Sequence, residues 1–168
     1  MDRKSVVLPT LIICFATIAQ TFIFNWFPLI DIKPDLRMIL LIYFSYRQGQ
    51  FCGQISGFCS GLLEDILSTS PIGFNAFVKT LIGFLYGTLK GNFFINVILL
   101  PILLVTFGTL INILLSMAVN FVFLGSRITI SVLRIETLYE IGVNIILAPV
   151  VFSILNATRA FKLKGREY

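Results

Sequence analysis

From residue 93 to residue 124 the chain carries no charge at all, and much of the remaining sequence is nearly as bare. A water-soluble domain needs polar groups to cover its core, and about a quarter of its residues are normally charged. Here 12% are charged and 57% apolar over 168 residues, with a mean hydropathy of +0.95. Too little polar surface is left to face water. The fold class that follows is an all-α integral membrane protein, because helices pair their backbone groups internally, as hydrocarbon requires.

The few functional groups narrow the chemistry. The sequence has no His, which excludes Ser-His-Asp and Cys-His nucleophile systems and His-ligated metals. It shows no Walker lysine motif, dinucleotide fingerprint, paired-cysteine metal site or nucleic-acid signature. Cys14, Cys52 and Cys59 are odd in number and lie in apolar segments, so they read as small buried residues. The expectation is a non-enzymatic protein with no catalytic residue, cofactor or metal, and no nucleic-acid partner.

A bilayer core of about 30 Å takes roughly 20 apolar residues as a helix. On that measure the chain is one polytopic domain with six spans, near residues 6–30, 36–47, 51–67, 73–89, 93–124 and 137–158. The first exceeds the roughly 7–15 apolar residues of a signal peptide and is expected to be retained. Its Leu11-Ile12-Ile13-Cys14 is a poor lipoprotein box, since bulky Ile13 stands where a small residue belongs. The second is short, as re-entrant or partial spans often are. The fifth would be about 48 Å long as one helix, so it is expected to be tilted, or broken near Pro101 or Gly108. Residues 127–136 read as an amphipathic loop.

Six spans put both termini on one side. Arg3, Lys4, Arg47, Lys90, Arg159, Lys162, Lys164 and Arg166 then share the cytoplasmic side. Lys33, Arg37, Arg127 and Arg134 fall on the outer side, and Lys79 inside the fourth span. The excess of basic residues on cytoplasmic segments orients membrane proteins, so both termini are expected in the cytoplasm.

Two segments carry small residues at helical spacing. Gly53, Gly57 and Gly61 recur every fourth residue and lead to Asp65, with Ser56, Ser60 and Glu64 on the neighbouring stripe. Gly83, Gly87 and Gly91 repeat the device in the fourth span, and Asn75 and Lys79 extend that stripe outward. Small residues at this spacing let helices approach closely in lipid, so both stripes read as packing seams or partner interfaces. Charges inside a membrane pair or face a cavity, and Lys79 is expected to pair with Asp65 or Glu64 across the short turn. Thr17, Thr21 and Asn25, then Asn112, Ser116 and Asn120, then Glu140 and Asn144 form further polar stripes. Interhelical hydrogen bonding is expected of them, and a central cavity is the alternative.

Pro34-Asp35-Leu36 ahead of an apolar run, then Gly57-Phe58-Cys59-Ser60-Gly61-Leu62-Leu63-Glu64-Asp65-Ile66-Leu67 and Ser70-Pro71-Ile72-Gly73-Phe74-Asn75-Ala76, form a connected pattern. It resembles the rod shape-determining protein MreD family, including the turn at Pro34 and Asp35. The family usually shows a single acid before the short turn, where this chain has Glu64 and Asp65. The resemblance implies a bacterial inner-membrane component of the cell-elongation machinery. It would partner a bitopic MreC-like protein and act with RodA, its penicillin-binding transpeptidase and MreB in peptidoglycan synthesis. It also implies a bundle like that of the substrate-binding S-components of energy-coupling-factor transporters. A vitamin-binding transporter subunit is therefore the alternative function. The basic C-terminal tail would contact membrane lipid or a cytoplasmic filament.

Overall fold

The structure, a computed structural model, describes residues 4–26, 35–68, 70–90, 99–124 and 135–157. Among these residues the chain is all helical. Six helices follow one another: α1 Lys4–Trp26, α2 Leu36–Gln48, α3 Gln50–Leu67, α4 Phe74–Thr88, α5 Leu99–Leu124 and α6 Ile135–Ala157. Asp31, Lys33 and Pro34, the loop at 127–134 and the basic tail lie outside the described residues.

The shortest helix is the centre of the molecule. α2 has 13 residues and touches all five other helices. Met38, Ile39, Leu41, Ile42, Tyr43, Phe44 and Ser45 are buried, on every side of the helix, which is the pattern of a helix enclosed by protein. A helix walled in by neighbours does not take its length from the bilayer. Asp35 caps its start, the carboxylate accepting from the Met38 N–H at 3.2 Å. At its end Gly49 adopts φ +102°, a left-handed conformation that glycine takes without penalty. That single residue turns the chain directly into α3.

Two helices, over Val6–Ile23 in α1 and Leu99–Val119 in α5, are long and apolar enough by themselves to cross a bilayer. α5 runs continuously through Gly108, so of the two expected alternatives, a tilt or a break, there is no break within Leu99–Leu124. At Gly108 the missing side chain makes room for the Ile42 side chain of α2 and the Tyr86 hydroxyl of α4. Pro101 is the third described residue of that helix, and proline is tolerated in a first turn. Glu136 belongs to α6 rather than to the expected loop. Large apolar side chains, Phe15, Phe22, Phe58, Ile72, Phe107 and Leu114 among them, face outward. Such a surface suits hydrocarbon.

Candidate functional site: a glycine-seamed hairpin and its charged end

The closest helix pair is α3 with α4. Gly53 and Gly83 lie backbone to backbone, and a methyl group on either would overlap the carbonyl of the other. Gly57 lies against the Lys79 carbonyl, Gly61 against Asn75 and Ala76, and Gly87 against Gln50. The two glycine stripes therefore face each other inside the chain. The outward seam that a partner would need at these glycines is already filled by the neighbouring helix. Gly91 lies outside the described residues.

At one end of this hairpin the two adjacent acids do different work. The first N–H groups of a helix have no intrahelical acceptor and carry partial positive charge. α4 begins after Gly73, which has φ +96° and no side chain with which to cap the helix. Asp65, at the end of α3, supplies the missing acceptor. Its Oδ2 accepts from the N–H of Gly73 at 2.9 Å and of Ala76 at 3.2 Å. Its Oδ1 accepts from the Asn75 N–H at 3.0 Å and from Asn75 Nδ2 at 2.9 Å. A carboxylate that lies eight residues before the cap residue Gly73 thus closes the turn. Asp65→Asn keeps the shape but places an amide among donors. It should lower stability by about 1–3 kcal/mol, the cost of leaving buried donors unpaired, measured as a lower apparent Tm in detergent.

Glu64 points to the next stripe and joins three helices. One carboxylate oxygen accepts from Lys79 Nζ of α4, the other from Arg37 Nη1 of α2 at 3.1 Å. Arg37 Nε also meets Asp35 Oδ1 at 3.2 Å. The Asp35 N–H donates to Asn144 Oδ1 of α6 at 2.9 Å, which brings a fourth helix to the cluster. The Lys79 side chain is 4% exposed, whereas those of Glu64, Arg37 and Asp35 are 17%, 19% and 25% exposed.

Desolvation raises the pKa of the Asp35 carboxyl, but Arg37 and then Lys79, with the Met38 N–H, outweigh it and hold the pKa below the ordinary value. A depressed carboxylate pKa stabilises the fold above the unfolded-state value. That contribution fades as pH falls through the lowered one. The Tm gap between wild type and Asp35→Asn should therefore hold at neutral pH and close only as pH drops below about 3.9.

Lys79 thus pairs with Glu64 rather than Asp65. Asn75 serves the same turn as Asp65. Arg37, counted in the sequence only as an outer charge, is a full member of the cluster; an arginine in the first turn of an apolar helix was the available signal. Thr17 and Thr21 bond carbonyls of their own helix, Ile13 and Thr17, instead of a neighbouring helix. Thr10 and Ser56 do meet between α1 and α3, at 2.9 Å. The side chains of Asn25, Asn120 and Glu140 lie outside the described residues. At the opposite end Tyr43 and Arg47 of α2 both donate to Asn156 Oδ1 of α6, and Arg47 lies 5.7 Å from the centre of the Tyr43 ring.

Chemically, this is a set of satisfied ion pairs and a helix cap. Cys14, Cys52 and Cys59 are free thiols, and no group of three metal-ligating side chains occurs among the described residues. A groove of about 380 Å³ between α4 and α5, lined by Leu85, Tyr86, Leu89, Leu103 and Phe107, presents almost only hydrocarbon. Its tyrosine hydroxyl already donates to the Leu104 carbonyl at 2.8 Å.

The family model for rod shape-determining protein MreD matches residues 2–158. Neither a curated protein nor a solved structure matches the chain. The family match runs through all six helices, and the chain accordingly belongs to the MreD family of rod shape-determining membrane proteins.

Proposed function

We propose that the protein is a non-enzymatic component of the bacterial cell-elongation complex that binds an MreC-like bitopic protein and supports lateral peptidoglycan synthesis. It acts with RodA, its penicillin-binding transpeptidase and MreB. The observation that carries this reading is the use made of three acids. Asp35, Glu64 and Asp65 are each bound to residues of this chain, which suits a scaffold better than a reaction centre. In this reading all six helices span the inner membrane with both termini in the cytoplasm, as the distribution of basic residues supports. Gly53, Gly57, Gly61, Gly83 and Gly87 serve folding of the hairpin, and the partner meets the outward faces of the bundle. The basic tail rests on anionic lipid.

Copurification tests the reading. The tagged chain, expressed with the MreC-like protein of the same bacterium, should retain that partner through detergent extraction and carry no bound vitamin. A chain that instead arrives with a small-molecule ligand and an ATPase module would establish the transporter alternative.

A further inference from the structure

The connection between α3 and α4 differs in sequence from the two others expected on its side, between α1 and α2 and between α5 and α6. From Ile66 to Gly73 it carries no charged residue, whereas the others carry Asp31 and Lys33, and Arg127 and Arg134. The two acids just before it turn inward, Asp65 to the start of α4 and Glu64 to Arg37 and Lys79. What faces outward at the tip is mostly apolar. Ile66 is 63% exposed, Leu67 40% and Ile72 80%, with Pro71 exposed beside them.

The amides of this turn are also paired without water. The N–H of Ser68 donates to the Glu64 carbonyl at 2.8 Å, that of Phe74 to the Pro71 carbonyl at 3.1 Å, and that of Phe77 to the Gly73 carbonyl at 2.9 Å. The Ser70 N–H donates to Ser68 Oγ at 3.3 Å. Asp65 takes those of Gly73, Asn75 and Ala76, and Pro71 has none to offer. Among the described residues from Ser68 to Phe77, only Ile72 has an amide outside this set. A turn in water needs no such completeness, because solvent accepts from any exposed N–H. In hydrocarbon each unpaired N–H is costly.

Length agrees with this. At 1.5 Å per residue α3, with 18 residues, is about 27 Å long, and α4, with 15, about 22 Å. Both are shorter than the roughly 30 Å of a hydrocarbon core. α1, α5 and α6, with 23, 26 and 23 residues, run about 34–39 Å and exceed it. Charge marks the opposite end of the hairpin. Lys90 is exposed there, and its Nζ donates to the Gln48 carbonyl at 3.0 Å, which suits a headgroup layer. A hairpin that starts at that layer is too short to lift its turn into water on the far side.

From the paired amides, the apolar tip and the short helices we infer that the α3–α4 turn is a lipid-contacting surface. Leu67, Pro71 and Ile72 rest among the acyl chains of the outer leaflet instead of in water. That the hairpin spans the membrane, with this end outward, is taken from the function proposed above.

Spin labels on single cysteines test this, in the full chain with Cys14, Cys52 and Cys59 replaced by Ala and reconstituted into phospholipid vesicles. Labels go on Ile72→Cys and, in case that variant fails to fold, on Leu67→Cys. Phe58→Cys, half exposed along the middle of α3, is the lipid reference, and a cysteine appended after Tyr168 is the water reference. Oxygen concentrates in hydrocarbon, whereas a polar nickel chelate stays in water, so collision rates with the two agents report the surroundings of each label. Nickel collisions at the turn should be about tenfold or more rarer than at the appended cysteine, since hydrocarbon excludes polar solutes. Oxygen collisions there should match those at Phe58→Cys. Nickel collisions at the turn as frequent as at the appended cysteine, with Phe58→Cys shielded, would overturn the lipid contact and leave the spanning hairpin in place. A label on Phe58→Cys that also meets nickel would overturn the spanning hairpin itself, and the lipid contact with it.

Discussion

Gly57→Leu should leave almost no folded protein, whereas Gly142→Ala should extract and melt like wild type. The reason is what each new side chain would meet. At Gly57 even a single methyl overlaps the Lys79 carbonyl and carbon, which are backbone atoms with no rotamer to escape into. Overpacking a side-chain core typically costs about 1–3 kcal/mol, and here whole helices must part. Separation at Gly57 would also loosen the neighbouring contacts at Gly53 and Gly61, since all three lie on one seam. A methyl group added at Gly142 on α6 would meet nothing within 4 Å. The readout is the monodisperse fraction after detergent extraction, with apparent Tm. Near-normal yield of Gly57→Leu would mean that α3 and α4 do not touch backbone to backbone.

Glu64→Gln should be the most damaging single change within the charged cluster. It removes the carboxylate from Lys79, whose side chain is 4% exposed, and from Arg37. Breaking a buried ion pair from one side costs about 3–5 kcal/mol, because an uncompensated charge stays behind. Lys79→Met should cost less, since Glu64 keeps Arg37. The double variant Glu64→Gln/Lys79→Met should be more stable than the two single effects summed, with a coupling of about 0.5–3 kcal/mol. Asp65→Asn combined with Lys79→Met should be nearly additive, because Asp65 caps α4 and does not hold Lys79. Coupling of Lys79 to Asp65 instead of Glu64 would exchange the roles of the two acids.

These two acids show how far the sequence could be read. A repeat of four residues on a helix displays a stripe directly, so Gly53, Gly57, Gly61 and Asp65 were legible as one line and Ser56, Ser60 and Glu64 as its neighbour. Which stripe faces which helix is not contained in the spacing. The glycine stripe faces α4, which aims Asp65 at that helix's first N–H groups and Glu64 at Arg37 and Lys79. Pairings between distant segments were hidden for the same reason. Asp35 with Asn144 and Arg47 with Asn156 depend on α2 and α6 standing in register, and no local signal encodes that. Most helices were legible because runs of about 20 apolar residues stand out in a sequence. α2 was hard to interpret because its neighbours, and not lipid, surround it. Hydroxyls misled: Thr17 and Thr21 turn back to their own helix, a bond that a polar stripe cannot distinguish from one across an interface.

The central claim is that the charged cluster holds a scaffold together and performs no chemistry. Its most direct test is rod-shape complementation by the Glu64→Gln/Lys79→Met variant, in cells depleted of their own MreD-family protein, with membrane level and Tm measured alongside. The account predicts rods wherever the variant is folded and present at the wild-type level. Round cells containing a normally folded, normally abundant variant would contradict it.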